Sequence, residues 1–236
     1  MLSLEGEASK MHRETVLHLH GFASSACSTK ARYLEERFRE LPHVLFLVPD
    51  FNPSPSDFRY LTITGMINRL RQYILDHKIG TSSMIGSSMG CLVALHYAHR
   101  FGGVKRLLLL APLLSYTLLP MDSGTFAEWE REGETEVFHY GFNKKVPLRY
   151  DFHLDGLSYQ EQIPPSVRVG IIHGKRDEVI PLDHSRKYAA KYPDVVTVRE
   201  VDSDHTLLDH CALIWEHVAP ALDLPAFAAK NKKKQS

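Results

Sequence analysis

The chain has 236 residues, a hydrophobic content of 44% and a formal net charge of zero, which is typical of one soluble domain with a sizeable core and gives no support to a nucleic-acid role. The three cysteines, Cys27, Cys91 and Cys211, lie far apart without C-x-x-C spacing, which argues against a disulfide framework or a zinc ribbon and favours a reducing compartment. The sequence contains neither an apolar run of about 18 residues nor the apolar core of a signal peptide at its polar N-terminus, so we expect a cytoplasmic protein without a membrane span.

The first part of the chain alternates between apolar runs and amphipathic segments. Residues 15–19 predict a strand that ends at His20-Gly21-Phe22, and residues 28–41 predict a helix with one apolar face. The continuous apolar run at 44–48 predicts a parallel strand that is covered on both faces. Residues 49–57 predict a loop, and a second amphipathic helix follows and ends at Gly80.

The next turn has the sequence Gly86-Ser87-Ser88-Met89-Gly90, between an apolar strand and a helix of small residues that runs to about residue 100. A strand that turns at once into a helix strains the serine backbone, and the flanking glycines let neighbouring backbone approach closely. This turn exposes the Oγ of Ser88 at the carboxyl end of a strand, beside a helix N-terminus. The pattern therefore predicts a nucleophilic serine, and the alternative is an ordinary Gly/Ser turn.

A further strand is predicted at 104–110, and residues 112–166 then interrupt the alternation. This stretch contains 9 of the 23 aromatic residues and 9 acidic against 4 basic residues, so its composition differs from the segments around it. We expect a short helix at 126–133 and a hairpin formed by 137–140 and 146–152, with 143–145 in its turn. We interpret the stretch as a lid inserted over the sheet, with Trp129 and Phe138 as candidate substrate contacts, and the alternative is an extra packing layer.

The alternation resumes with strands predicted at 167–172 and 195–201 and helices predicted at 182–192 and 206–218. The whole pattern predicts one α/β domain, residues 1–236, with about six strands in a mainly parallel sheet and helices on both faces. Sites in such sheets lie beyond the carboxyl ends of the strands. The tail, residues 230–236, contains four lysines and is expected to be disordered.

A serine nucleophile needs a base that takes its proton and an acid that orients the base. Asp177 follows the predicted strand at 167–172, and His205 follows the next one. We therefore predict Asp177 as the acid and His205 as the base. Alternatives remain: Asp177 could serve as a helix N-terminal acid or an ion-pair partner, and Glu178, Asp202 and Asp204 are nearby rivals for its role.

The turn after the first strand suggests a site for the developing oxyanion. We predict that the backbone N–H groups of Phe22 and of Met89 form this oxyanion hole. An ordinary glycine turn is the alternative at Gly21. The pair His18-x-His20 also raises the possibility of a metal site, but no further ligands stand at suitable spacing, so we predict none.

Taken together, these motifs resemble the α/β-hydrolases over nearly the whole chain outside the insertion and the tail. Residues 20–31, His-Gly-Phe-Ala-Ser-Ser-Ala-Cys-Ser-Thr-Lys-Ala, together with the turn at 86–90, resemble more narrowly the small bacterial YqiA/YcfP-type esterases. The resemblance implies a carboxylic-ester or thioester hydrolase with Ser88, Asp177 and His205 as its triad. Cys91 stands where those proteins often have a second glycine, and the insertion is longer than expected, so their substrate preference is not carried over.

The expected partner is a small, partly apolar ester or thioester, cleaved through an acyl-enzyme on Ser88 without a metal or a cofactor. We expect a monomer or a homodimer that binds no nucleic acid. The same triad also serves acyltransferases, peptidases and carbon–carbon bond hydrolases, and the same fold can act as a non-catalytic small-molecule receptor. The sequence leaves these alternatives open.

Overall fold

The computed structural model describes residues 14–118 and 123–224. The strands within these residues are β1 (Glu14–Leu19), β2 (Val44–Leu47), β3 (Ser82–Ser87), β4 (Val104–Leu110), β5 (Glu134–His139), β6 (Lys144–Arg149), β7 (Val169–Gly174) and β8 (Val196–Val201). Six of them form one sheet in the order β2-β1-β3-β4-β7-β8, and β5 and β6 form a separate hairpin.

The helices of the described residues lie between these strands and after the last one. They are α1 (Thr29–Phe38), α2 (Pro55–Arg59), α3 (Ile63–Asp76), α4 (Met89–Phe101), α5 (Ser123–Glu132), α6 (Asp151–Gly156), α7 (Asp183–Lys191) and α8 (Cys211–Leu222). Short 3-10 turns are formed by Tyr116–Leu118, Leu157–Tyr159 and Leu208–His210. None of the helices in this part of the chain is long and apolar enough to cross a membrane.

Every neighbouring pair of strands in the large sheet is parallel, which confirms the predicted architecture. The chain passes from β1 to β2 on one side of β1 and then returns to place β3 on the other side. Such a reversal opens a crevice beyond the carboxyl ends of the two strands that flank it. The turns after β1 and β3 therefore lie side by side at this crevice.

Alternate residues of the central strands enter two separate cores. Met84 and Leu109 pack in a core shared with α3 and α4, whereas Ile85 and Leu108 pack in a core shared with α1 and α8. Side chains of successive strand residues point to opposite faces, so each face is covered by its own layer of helices. This double burial explains why the strands read as continuous apolar runs.

Residues 49–57, expected to be a loop, contain the start of α2. Ser54 caps this helix by accepting from the N–H of Asp57, and the Asp57 carboxylate accepts from the N–H of Ser54. Pro55 stands in the first turn, where a missing N–H costs little. This capping box with an adjacent proline is a sequence signal for a helix start that the expectation of a loop overlooked.

The insertion contains the expected helix and hairpin with shifted boundaries. Lys144 and Lys145, expected in the turn, pair with His139 and Phe138 in the hairpin ladder. The second strand ends at Arg149, and Phe152 belongs to α6 rather than to the strand. Asp151 stands in the first turn of α6, where a carboxylate is favourable.

The last helix begins later than predicted. Leu207 adopts a left-handed conformation with φ of 55°, which stops an α-helix from starting at residue 206. A 3-10 turn follows, and α8 then runs on to Leu222 through Pro220. The predicted tail at 230–236 lies outside the described residues.

Candidate active site

Ser88 connects β3 to α4 in a strained turn, with φ of 52° and ψ of −116°. The two glycines of the motif allow close backbone contacts. A Cβ on Gly86 would lie 2.8 Å from the Cα of Cys91, and one on Gly90 would lie 2.2 Å from the carbonyl oxygen of Leu19. The spacing of the motif thus follows from the crossing of α4 over the end of β1, and only glycine fits at these two positions.

The structure brings Ser88, His205 and Asp177 into one hydrogen-bonded chain. The Oγ of Ser88 lies 3.0 Å from Nε2 of His205, and Nδ1 of His205 lies 2.8 Å from Oδ2 of Asp177. The side chain of His205 is 21% exposed, whereas that of Asp177 is fully buried. The Nδ1–H tautomer of His205 satisfies both contacts, because Nδ1 then donates to the carboxylate and Nε2 accepts from the serine hydroxyl.

The carboxylate of Asp177 is held by backbone and side-chain donors. Its Oδ1 accepts from the N–H groups of Val179 at 2.9 Å and Ile180 at 2.7 Å. Burial by itself raises the pKa of Asp177, but hydrogen bonds from His173, His205 and the Ile180 N–H outweigh it, so the net pKa lies well below its ordinary value. Asp177 is therefore ionised throughout the neutral range.

Two of the three rival acids are engaged elsewhere, and the third is exposed. Asp202 pairs with Arg176 at 2.8 Å on the exposed surface. The carboxylate of Asp204 accepts from the backbone N–H and the hydroxyl of Thr206, at 2.8 Å and 2.6 Å. Glu178 is exposed at the surface. Among the candidates, Asp177 is the acid that reaches the base.

The turn after β1 passes directly over the serine turn. A Cβ on Gly21 would lie 3.3 Å from the Cβ of Ser88. Nδ1 of His20 lies 2.9 Å from the carbonyl oxygen of Gly21, and the N–H of Phe51 donates to Nε2 of His20 at 3.1 Å. Nε2 of His20 also lies 3.3 Å from Oδ1 of Asp50, so the ring is held on both sides. The contact of its Nδ1 orients the peptide that carries the N–H of Phe22.

The two aromatic candidates for substrate contact have different surroundings. Trp129 is only 2% exposed and donates its Nε1–H to the carbonyl oxygen of Leu148 at 2.9 Å. It packs inside the insertion, which gives it a structural role. Phe138 is 44% exposed on the hairpin and contacts the ring of Tyr140 edge-on.

The histidine pair at the end of β1 serves the fold. His18 is fully buried, with Nδ1 at 3.2 Å from the carbonyl oxygen of Ile85, and His20 holds the turn described above. In residues 14–118 and 123–224, no group of three or more His, Cys, Asp or Glu side chains has the arrangement of a metal site. Cys91 is buried too, and burial raises the pKa of its thiol, which makes it a poor nucleophile.

A cavity of about 610 Å³ opens beside His205. Its walls carry the charged side chains of Lys175, Arg176, Glu178 and Asp204. Charges of both signs contrast with the partly apolar substrate expected from the sequence. The sequence did place these residues in the two loops that carry the acid and the base, but their shared cavity depends on how the loops meet.

Two groups next to the site escaped the sequence analysis. Nζ of Lys30, in α1, donates to the carbonyl oxygen of Thr206 at 2.8 Å, directly after His205. His173, at the end of β7, lies 3.1 Å from Oδ2 of Asp177. Lys30 belongs to the segment 20–31, so its place in that motif was the available signal. His173 stands four residues before Asp177, but the chain has 14 histidines and none is distinguished by type alone.

Solved structures define the class of the fold. The mouse alpha/beta hydrolase domain-containing protein 10 matches with a TM-score of 0.73 and 22% identity, over 93% of this chain and 92% of that one. Est1E from Butyrivibrio proteoclasticus, solved with ferulic acid bound, matches with a TM-score of 0.68 and 18% identity, over 91% of this chain and 90% of that one. The protein therefore has the α/β-hydrolase fold, as its motifs predicted.

Within that class, residues 15–221 match the model of the Uncharacterised protein family (UPF0227), and the chain belongs to this family. A curated relative from Arabidopsis thaliana, named Probable lysophospholipase BODYGUARD 3, is 35% identical over 108 residues. That match covers 42% of this chain and 21% of the relative, so the chain spans about a fifth of that protein's length.

Proposed function

We propose that this protein is a serine hydrolase that cleaves carboxylic ester or thioester bonds of small molecules through an acyl-enzyme on Ser88. The observation that carries the proposal is the relay of two hydrogen bonds, 3.0 Å from Ser88 Oγ to His205 Nε2 and 2.8 Å from His205 Nδ1 to Asp177 Oδ2. A buried carboxylate, an imidazole and a hydroxyl in this order can activate an otherwise weak nucleophile.

In the first step, Oγ of Ser88 attacks the substrate carbonyl carbon while Nε2 of His205 takes the hydroxyl proton. The N–H groups of Phe22 and Met89 stabilise the negative charge that develops on the carbonyl oxygen. Phe22 lies in the turn held by His20, and Met89 is the first residue of α4. The ionised carboxylate of Asp177 stabilises the imidazolium that forms. It accepts no proton itself.

The tetrahedral intermediate then collapses. Nε2 of His205 gives its proton to the leaving alkoxide or thiolate, and the acyl group stays on Ser88. Water enters in place of the leaving group, loses a proton to His205 and attacks the acyl carbonyl. The carboxylic acid leaves, and the proton returns to Ser88. His205 carries every proton transfer and the amides stabilise the oxyanion, so the proposed reaction requires neither a metal nor a cofactor.

Two similar proteins support the proposed ester class. A relative matched over 108 residues is named Probable lysophospholipase BODYGUARD 3, and Est1E, which shares the fold, was solved with ferulic acid bound. His205 protonates the leaving group, and the cavity that this histidine lines has charged walls, which supports a polar leaving group. We place this activity in the cytoplasm, on a monomer or a homodimer, in line with the separated cysteines.

A fluorophosphonate probe tests the nucleophile. The wild type should be labelled covalently, Ser88→Ala should not be, and Ser83→Ala, on the same strand, should label like the wild type. If wild type and Ser88→Ala behave alike, the assignment is wrong. A series of p-nitrophenyl esters and matched thioesters of increasing acyl length then defines the substrate class. Tight binding of these compounds without any turnover would favour a receptor instead.

A further inference from the structure

We infer that His173 is a positioning residue for the reaction proposed above, because it holds the carboxylate of Asp177 through the same oxygen that binds the base His205. This inference rests on the proposed function. It assigns a role to a histidine that does not touch the serine and that no step of the mechanism uses.

His173 is fully buried at the carboxyl end of β7 and makes three polar contacts. Its Nε2 lies 3.1 Å from Oδ2 of Asp177 and 2.8 Å from the carbonyl oxygen of Ile180. Its Nδ1 lies 2.7 Å from Oγ of Ser185, which is itself buried in α7. The ring thus connects the loop of the acid to the sheet and to the following helix.

The partners of the ring define its tautomer. Nε2 faces two acceptors, a carboxylate and a carbonyl, so the proton must lie on Nε2. Nδ1 then accepts from the hydroxyl of Ser185, and a neutral ring satisfies all three contacts without placing a charge in the core. Ser185 therefore keeps the N–H of Nε2 directed at its two acceptors, the Ile180 carbonyl and Oδ2 of Asp177, as an outer hydrogen bond orients a functional histidine.

The two oxygens of the Asp177 carboxylate have different partners. Oδ1 accepts only backbone donors, from Val179 and Ile180, and these close the loop. Oδ2 accepts from two imidazoles, His173 at 3.1 Å and His205 at 2.8 Å. Without the donor on His173, the carboxylate group can turn about its Cβ–Cγ bond and lose alignment with Nδ1 of His205. Alignment of the base matters mainly in the transition state, so kcat is the affected quantity.

Substituting His173 by Gln or by Asn distinguishes the contact of its Nε2 with Asp177 from the contact of its Nδ1 with Ser185. The amide nitrogen of Gln stands near the position of Nε2 and can still donate to Asp177, whereas the amide of Asn reaches only the position of Nδ1. Activity is measured on a p-nitrophenyl ester and normalised to sites labelled by the fluorophosphonate. We expect His173→Asn to lower kcat about tenfold or more, with KM within about twofold, and we expect His173→Gln to recover most of the loss.

Equal kcat values per labelled site for the two variants would overturn the inference, since a purely structural histidine would change only the amount of folded enzyme. A second measurement needs no variant. Imidazole ¹⁵N NMR of the wild type should show the Nε2–H tautomer of His173, and the Nδ1–H tautomer would also overturn it. Failure of the proposed function is recognised separately, because the wild type would then neither be labelled nor turn over esters.

Discussion

At the scale of single residues, the serine turn stores backbone strain. Ser88 has φ of 52° and ψ of −116°, a combination that only glycine adopts without penalty. Residues held in such conformations cost about 1 to 3 kcal/mol. Strain of this kind persists because the crossing of α4 over β1 leaves the backbone no alternative path. The strained turn directs the hydroxyl of Ser88 at His205.

This strain predicts a gain of stability when Ser88 becomes glycine. Ser88→Gly should raise the free energy of unfolding by about 1 kcal/mol relative to Ser88→Ala, since relief of strain exceeds the added flexibility of the unfolded chain. Both variants lack the hydroxyl, so their comparison isolates the Cβ. Urea unfolding curves measure the difference. Equal or lower stability of the glycine variant would show that the strain does not exceed the cost of the added flexibility of the unfolded chain.

At the scale of elements, helix α1 reaches the loop that carries the base. Nζ of Lys30 donates to the carbonyl oxygen of Thr206 across 176 positions of the chain. Burial lowers the pKa of Lys30, with partial compensation from the nearby carboxylates of Asp204 and Asp177. A half-buried lysine costs free energy, so we expect Lys30 to hold the His205 loop rather than to add stability.

Lys30→Met keeps the apolar stem and removes the donor. We expect kcat to fall about tenfold, while the melting temperature stays the same or rises because a buried charge is gone. The control is Lys187→Met, which removes an exposed lysine paired with Asp183 at 2.7 Å and should change neither quantity. An unchanged kcat in Lys30→Met would show that Thr206 needs no tether.

The insertion packs on the loop of the proposed oxyanion hole. The N–H of Tyr140 donates to the carbonyl oxygen of Ala23 at 2.9 Å, and the ring of Phe152 lies 5.2 Å from that of Phe22. His139 is buried and its Nε2 lies 2.9 Å from the amide nitrogen of Asn52. An insertion held by such contacts supports the loop below it, so we expect changes in the insertion to affect catalysis as well as binding.

Gly141 provides the test, since a Cβ there would lie 2.8 Å from the Cβ of Ser25. Gly141→Ala should push the hairpin away from the loop and lower kcat several-fold, about 1 kcal/mol in activation free energy. Gly80→Ala is the matched control, because a Cβ at Gly80 meets nothing within 4 Å. Steady-state kinetics on one ester compare the two. If both variants keep the wild-type kcat, the hairpin does not support the loop.

At the scale of the whole molecule, buried histidines link stability to pH. Burial lowers the pKa of His18 to about 3 and that of His96 to about 4. Both lie in the core, His18 in β1 and His96 in α4, and Nε2 of each lacks a hydrogen-bond partner within the described residues. Protonation of either ring therefore places an uncompensated charge in the core.

The sign of the effect follows from proton binding. Between the unfolded pKa of about 6.5 and these lowered values, the unfolded chain binds more protons than the folded one, so stability falls as the pH falls. Asp177 adds its own loss only below about pH 4, since its pKa is depressed. The melting temperature should therefore decline from pH 6.5 to pH 4, measured by circular dichroism in buffers of constant ionic strength.

A double variant tests the source of this decline. His18→Leu combined with His96→Leu should flatten the dependence of the melting temperature on pH in this window. His99→Gln, on the exposed surface of α4, should keep the wild-type dependence. A double variant with the full wild-type slope would assign the effect to other groups.

Much of the fold and the centre of the candidate site could be read from the sequence, because their signals are local. Gly86, Ser88 and Gly90 form a pattern that is recognisable within five residues, although the close contact at Gly90 is made with Leu19 in β1. Continuous apolar runs specify strands buried on both faces. Asp177 and His205 could be chosen because carboxyl ends of parallel strands meet at one edge, although each has near neighbours of similar chemistry. The capping box at Ser54 was equally local and was overlooked.

Only the tertiary structure decided which groups support that centre. His173 and Asp177 are close in sequence, yet their contact requires the strand end and the loop to fold back on each other around Ser185. The contact of Lys30 with Thr206 and the packing of Phe152 on Phe22 join distant segments, and no pattern of spacing encodes such pairs. The insertion, too, was recognisable by composition alone, whereas its burial of Trp129 depends on the three-dimensional packing of its own elements. Local geometry can be predicted from the order of neighbouring residues, whereas contacts between distant segments form only when the chain folds around its two cores.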